Sequence, residues 1–164
     1  MTSQKLSISN ISYKNDENVR VLSAVLSKWF SSPKTFHFTS PSLKYPFNIN
    51  QWLSTFYKED NVETYILKDE NWIIGHLSVK IDENKNLAHL FHLFIDNENR
   101  KNGYAKKLIR YVEKHIIVGK NNIRAITLNC VKKNTPAINL YHSIGFRKLK
   151  EKKMLKMIKY IERQ

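Results

Sequence analysis

The sequence predicts a mixed α/β (α+β) layer fold, and three observations carry that reading. The runs "VETYILK", "NWIIGHLSVKI" and "NLAHLFHLFI" are β-rich and joined by the turn-like "DEN" and "DENKN", the pattern of an antiparallel meander. Apolar stripes at helical spacing stand on either side of them: Val19, Leu22, Val25, Leu26 and Trp29 before, and Leu108, Ile109, Val112 and Ile116 after. The segment 90–118 then reads as one strand–turn–helix unit. With 164 residues, no internal repeat and no dividing linker, the whole chain 1–164 is expected to be a single domain.

In order along the chain, the alternation in "KLSIS" predicts a short first strand, and "NDEN" a helix start. Pro33 is expected to end that helix. "SSPKTFHFTSPSLKYPF" holds three prolines and four aromatics, which suits a structured loop with apolar anchors. From Asn48 a helix is expected, with Ile49, Trp52, Leu53, Phe56 and Tyr57 on one stripe, followed by the three strands. The next helix should end at Gly119 as a left-handed cap. "IRAITLNCV" reads as a buried strand, "TPAINLYHSI" as a short helix with Pro136 in its first turn, and Gly145 as a turn into "FRKLK". The tail "MLKMIKYI" suits a helix or a strand equally. The predicted order is β-α-α-β-β-β-α-β-α-β, with room for one more strand.

Composition narrows the function. No apolar run approaches the roughly 20 residues that span a bilayer. "MTSQKLSISN" lacks the charged-then-apolar layout of a secretory signal, so a soluble cytoplasmic protein is expected. Cys130, the single cysteine, has no disulfide partner and no metal-type spacing; it reads as a small buried hydrophobe, and no metal is expected. The formal charge of +14 is concentrated in the second half, where eight basic residues between 100 and 124 face Glu113 alone. Such a balance suits an anionic ligand, nucleic acid or acidic partner, or a solvated lysine-rich surface.

"RKNGYAKKLIRYVEKH" (100–115) places Gly103 between a strand and a helix. The first N–H groups of a helix lack intrahelical partners and stand at the positive end of its dipole, so such a turn suits phosphate. Gly103 lets the main chain take conformations closed to other residues, and Ala105, nearly as small, keeps the approach clear.

These residues resemble a family. "IDNENRKNGYAKKLI" is similar to the acetyl-coenzyme A signature of the GNAT superfamily of N-acetyltransferases, with Ile95 at the strand end and Arg100, Gly103 and Ala105 in the turn. Downstream, "NTPAINLYHSIGF" resembles the second motif through Asn134, Ala137, Leu140, Tyr141, Gly145 and Phe146. The resemblance covers about 72–147; Asn97 departs from it, where the family often has proline.

The resemblance implies a mostly antiparallel sheet of six or seven strands with helices on both faces. It also implies a splayed, V-shaped gap between the strand ending at Ile95 and the strand around Leu128. Acetyl-coenzyme A would enter that gap as cosubstrate. Main-chain groups of Phe94 and Ile95 would pair with its pantetheine arm, and the turn formed by Arg100, Lys101, Asn102, Gly103, Tyr104 and Ala105 would hold the pyrophosphate. Asn134 would fix the arm from the other side.

Acyl transfer to an amine needs a deprotonated amine, a stabilised tetrahedral oxyanion and a protonated leaving thiolate. Tyr141 is the candidate acid, because a phenol keeps its proton at neutral pH. His89 is the candidate base, eleven residues before Arg100, where several family members resemble it in carrying a Glu or His. On a regular strand His89 and His92 face opposite sides, which leaves His92 a structural residue unless a bulge intervenes. A backbone N–H near Ile95 would meet the oxyanion. Phe36, Phe38, Tyr45 and Phe47 would wall the acceptor site.

The expected reaction is direct N-acetylation of a primary amine, whether small amine, lysine or protein N-terminus, without a Cys130 relay. The expected partners are acetyl-coenzyme A and that acceptor, with neither nucleic acid nor membrane, and a homodimer is left open. The competing reading is a basic RNA- or protein-binding module with a vestigial coenzyme A site. Against it stands the absence of an aromatic base-stacking motif.

Overall fold

A computed structural model describes residues 5–119 and 122–162. Lys120, one of the eight basic residues counted between 100 and 124, and the first four residues of the N-terminal segment lie outside them.

The chain runs β1 (Leu6–Ile11), α1 (Asp16–Trp29), α2 (Pro33–Thr39), α3 (Ile49–Phe56), β2 (Val62–Asp69), β3 (Trp72–Asp82) and β4 (Leu87–Ile95). After a 3-10 turn at Asn97–Asn99 come α4 (Tyr104–Gly119), β5 (Ala125–Val131), α5 (Thr135–Ser143), β6 (Arg147–Glu151) and β7 (Met154–Tyr160). One seven-stranded sheet has the order β1-β2-β3-β4-β5-β7-β6, antiparallel throughout except for the parallel β4–β5 pair.

The first three helix starts have local causes. Asn15 accepts the Asn18 N–H at 3.0 Å, and Asp16 and Glu17 favour the positive end of the α1 dipole. Asn48 caps α3 in the same way, taking the Gln51 N–H at 3.0 Å. The helix α2 corrects the sequence reading, which had the segment as a loop and Pro33 as a terminator. Instead α1 stops at Trp29, Ser32 caps the next helix, and Pro33 opens it, where its missing N–H costs nothing. The tail is strand β7, because it pairs residue for residue with β5. Gly119 differs too: it is the last residue of α4, and its φ is not in the left-handed range.

Two apolar layers enclose the sheet. On one face, called the back, Leu108, Ile109, Val112 and Ile116 of α4 meet Leu77, Val79, Ala88 and Leu90, with Tyr141 of α5 in the same cluster. Each fully buried Leu or Ile contributes roughly 1.5–3 kcal/mol relative to exposure. On the front, α1, α2 and α3 bring Leu22, Leu26, Trp29, Phe30, Phe36 and Trp52 against Ile66 and Phe94. At the far edge, β6 is exposed along its whole length.

Candidate functional site

β4 and β5 pair only from Leu87↔Ala125 to Leu90↔Leu128, although β4 continues to Ile95 and β5 to Val131. Beyond Leu90 and Leu128 the two strands splay. β4 also carries a bulge: Ser78 pairs with Phe91 and His76 with Phe94, so His92 and Leu93 together oppose Leu77. His92 has φ +53°, a left-handed conformation rare for a side chain with a Cβ. The extra residue shifts the alternation, so Ala88, Leu90 and Ile95 face back whereas Phe91, His92 and Phe94 face front. His89 and His92 therefore share the front face, contrary to the regular-strand expectation.

Past the open end of β4 the chain turns into α4. Lys101 and Gly103 have φ +66° and +76°, and a Cβ added to Gly103 would meet nothing within 4 Å. The first hydrogen bond of α4 is Lys107 N–H to Gly103 O at 3.0 Å, so the amides before it precede the intrahelical ladder. Tyr104 is buried in the back core, so its side chain is packed away from the turn. Arg100 folds back on the strand: its Nε–H donates to Ile95 O at 3.0 Å, and its guanidinium lies 5.0 Å from the centre of the Phe94 ring. Its side chain thus fixes the strand end. Across the gap, Asn134 opens α5 without a capping bond from its side chain, and its N–H donates to Val131 O at 2.9 Å.

The candidate acid and base occupy opposite faces. Tyr141 stands in the back core, and burial first, then the Cys130 thiol, raises its pKa above the ordinary phenol value. No protein hydrogen bond engages its hydroxyl among the described residues. Cys130 is buried on the splayed part of β5, and burial pushes its thiol up to about 11, which disfavours a thiolate nucleophile. His142 turns away and meets Phe146 O at 3.2 Å. On the front, His89 Nδ1 lies 2.8 Å from Thr127 Oγ1. Burial, then Lys156 and Lys80, lowers the His89 pKa to about 4, so the ring is neutral at physiological pH.

The expected acceptor wall is mostly core. Phe36 is buried and Phe47 packs on the same cluster, with ring centres 5.8 Å apart. Tyr45 is exposed, and its hydroxyl donates to Ser31 O at 2.9 Å. Phe38 is half-buried, with Lys34 Nζ 5.6 Å from its ring centre.

Sequence reasoning missed a buried polar cluster below the bulge. His92 is stacked 3.8 Å from Trp52 and bridged by Tyr57 Oη at 2.8 Å and Ser40 Oγ at 2.9 Å. Tyr57 Oη also meets Ser78 Oγ at 2.9 Å, and Ser78 in turn meets Thr64. His76 stands between Tyr13 and the His92 carbonyl. A polar residue in an alternating strand signals nothing of this by itself.

No helix among the described residues is long and apolar enough to cross a membrane, and no group of three or more His, Cys, Asp or Glu there is placed to hold a metal.

A parallel pair thus splays inside an otherwise antiparallel sheet, with a glycine turn and a helix at its open end, the arrangement that the sequence resemblance implied. The family model of the acetyltransferase (GNAT) family matches residues 24–146, and the chain belongs to that family of N-acetyltransferases. Its fold is shared by PaiA N-acetyltransferase from Thermoplasma acidophilum, solved with coenzyme A: 19% identity, TM-score 0.70, covering 96% of this chain and 99% of that one. A spermidine N-acetyltransferase from Vibrio cholerae, solved with CoA and spermine, aligns at 14% identity and TM-score 0.71, over 94% and 95% of the two chains. An acetyltransferase from Thermus thermophilus aligns at 16% identity and TM-score 0.74, over 98% and 100%. No curated protein matches the sequence.

Proposed function

We propose that this chain transfers an acetyl group directly from acetyl-coenzyme A to a primary amine on a small molecule, a lysine or a protein N-terminus. The observation that carries the reading is the splay of β4 from β5 with Tyr141 beside its β5 edge. The residues present fit the cosubstrate. The amides of Lys101, Asn102, Gly103 and Ala105 stand ahead of the helical ladder, Gly103 leaves the approach clear, and Lys101, Lys106 and Lys107 add positive charge at that end. Phe94 and Ile95 line one side of the gap, and Asn134 keeps its side-chain amide uncommitted to capping on the other.

In this reading the thioester supplies the acetyl group: the amine nitrogen bonds to the carbonyl carbon to give a tetrahedral oxyanion, whose collapse breaks the carbon–sulfur bond. Tyr141 gives its proton to the departing sulfur, burial having disfavoured phenolate until then, and the second proton of the nitrogen, released as the amide forms, restores the phenol. The proton lost by the ammonium passes through water to His89, which is neutral and able to accept it. The raised thiol of Cys130 supports a direct route over an acyl-cysteine.

The test is thiol release from acetyl-coenzyme A against a panel of amines and peptide N-termini, run with wild type and Tyr141→Phe. The expected result is an acceptor-dependent signal whose kcat falls on the order of 100-fold or more in the variant, with coenzyme A affinity retained. An unaltered rate removes Tyr141 from the chemistry. The absence of both thiol release and calorimetric coenzyme A binding removes the reading itself.

A further inference from the structure

The buried cluster under the β4 bulge is not used by the chemistry above, yet its hydrogen bonds have a definite polarity. His76 Nδ1 lies 2.7 Å from the His92 carbonyl oxygen, and the Tyr13 hydroxyl lies 2.7 Å from His76 Nε2. A carbonyl only accepts, so Nδ1 carries the proton. Burial holds the ring neutral, with a pKa of about 4, and Nε2 must then accept from the Tyr13 O–H. One tautomer is therefore selected by partners on two elements, the β1–α1 turn and β4. The Trp52 indole N–H faces the same Tyr13 hydroxyl without reaching hydrogen-bond geometry. Meanwhile the left-handed backbone of His92 costs about 1 kcal/mol or more, and something must hold it there. Stacking on Trp52 and bonds from Ser40 and Tyr57 hold the side chain, and His76 holds the peptide.

We propose that His76, oriented by Tyr13, is a positioning residue for acyl transfer: its Nδ1–H fixes the His92 carbonyl and thereby aims the Leu93 N–H away from β3, toward the gap between β4 and β5. The peptide unit is planar and trans, so anchoring its carbonyl anchors the N–H pointing the opposite way. A donor held in advance of the reaction stabilises developing oxyanion charge far better than one that must reorient. Because Tyr13, Ser40, Trp52 and Tyr57 come from the front-face segments, the packing on that side is tied to the geometry of this one peptide. The catalytic part of this inference rests on the acetyl-transfer reading; the tautomer and the peptide orientation do not.

The experiment uses the full chain labelled with 15N and has two arms. Histidine side-chain NMR near neutral pH should show His76 protonated at Nδ1 and bare at Nε2. Tyr13→Phe, which removes one oxygen and keeps the ring, should shift the Leu93 amide and His76 Nε2 resonances, while the Nδ1–H tautomer held by the carbonyl persists. An Nε2–H tautomer in wild type, or an unmoved Leu93 resonance in Tyr13→Phe, overturns the proposal. In the kinetic arm, His76→Leu should lower kcat for thiol release on the order of 10- to 100-fold with coenzyme A affinity unchanged. His76→Asn, whose side-chain N–H stands where Nδ1–H stood, should recover most of that loss. Equal damage in the Leu and Asn variants, or a loss in KM alone, counts against positioning. If wild type neither releases thiol with any amine nor binds coenzyme A, the acetyl-transfer reading fails, and the NMR arm still decides the orientation of the peptide.

Discussion

His89 shows how neighbours set a residue's chemistry. An exposed imidazole titrates near 6.5. Here burial acts first, and Lys156 and Lys80 act in the same direction, holding the ring at about 4. Such a ring is unprotonated and free to accept at neutral pH, yet it is a weak base that holds the proton only briefly before passing it on. The pH profile of kcat/KM should therefore show no inflection from His89 between about pH 5 and 8, and the rate should climb until the acceptor ammonium deprotonates. An inflection near 6.5 that disappears in His89→Gln would contradict this assignment. The lysines were visible in the sequence as charge. That Lys80 sits directly across from His89 was not, because register is a tertiary property.

At the scale of elements, β4 decides the site. Its apolar run and the glycine turn that follows were legible, as were the helix-start residues Asn15 and Asn48 and the buried stripe of α4. The bulge was not legible: nothing in "NLAHLFHLFI" marks His92 as left-handed, and one inserted residue reverses which side chains face the acceptor side. The helix α2 escaped because seven residues show little periodicity, although serine followed by proline is a capping signal in its own right. Gly75, opposite Ile95, shows how tightly the strand end is held. An added Cβ would stand 2.8 Å from Ile95 Cδ1 and 3.1 Å from Leu67 Cβ. Gly75→Ala should destabilise the fold by about 1–3 kcal/mol, read as a lower Tm, and weaken coenzyme A binding by displacing Ile95. An unchanged Tm together with unchanged affinity would show that Ile95 yields freely.

Over the whole molecule, buried neutral histidines make stability depend on pH. Burial lowers the pKa of His76 to about 4, and burial and then His76 lower that of His92 well below its ordinary value. As pH falls from about 6.5 toward 4, the unfolded chain takes up protons that the folded chain refuses, so stability is full above that window and declines within it. For His76 alone the decline is roughly 3 kcal/mol by pH 4. Urea unfolding across this range should show it, with a shallower slope in His76→Asn; a flat profile in wild type would mean that the folded protein accepts these protons freely. The exposed border strand β6 sets a different condition. Arg147, Lys148 and Lys150 lie along backbone groups that another β-strand could otherwise join. Their mutual repulsion between copies fades as the Debye length shrinks from about 10 Å at 0.1 M salt to about 3 Å at 1 M. Concentrated salt should therefore lower the electrostatic barrier to strand-to-strand association through this border.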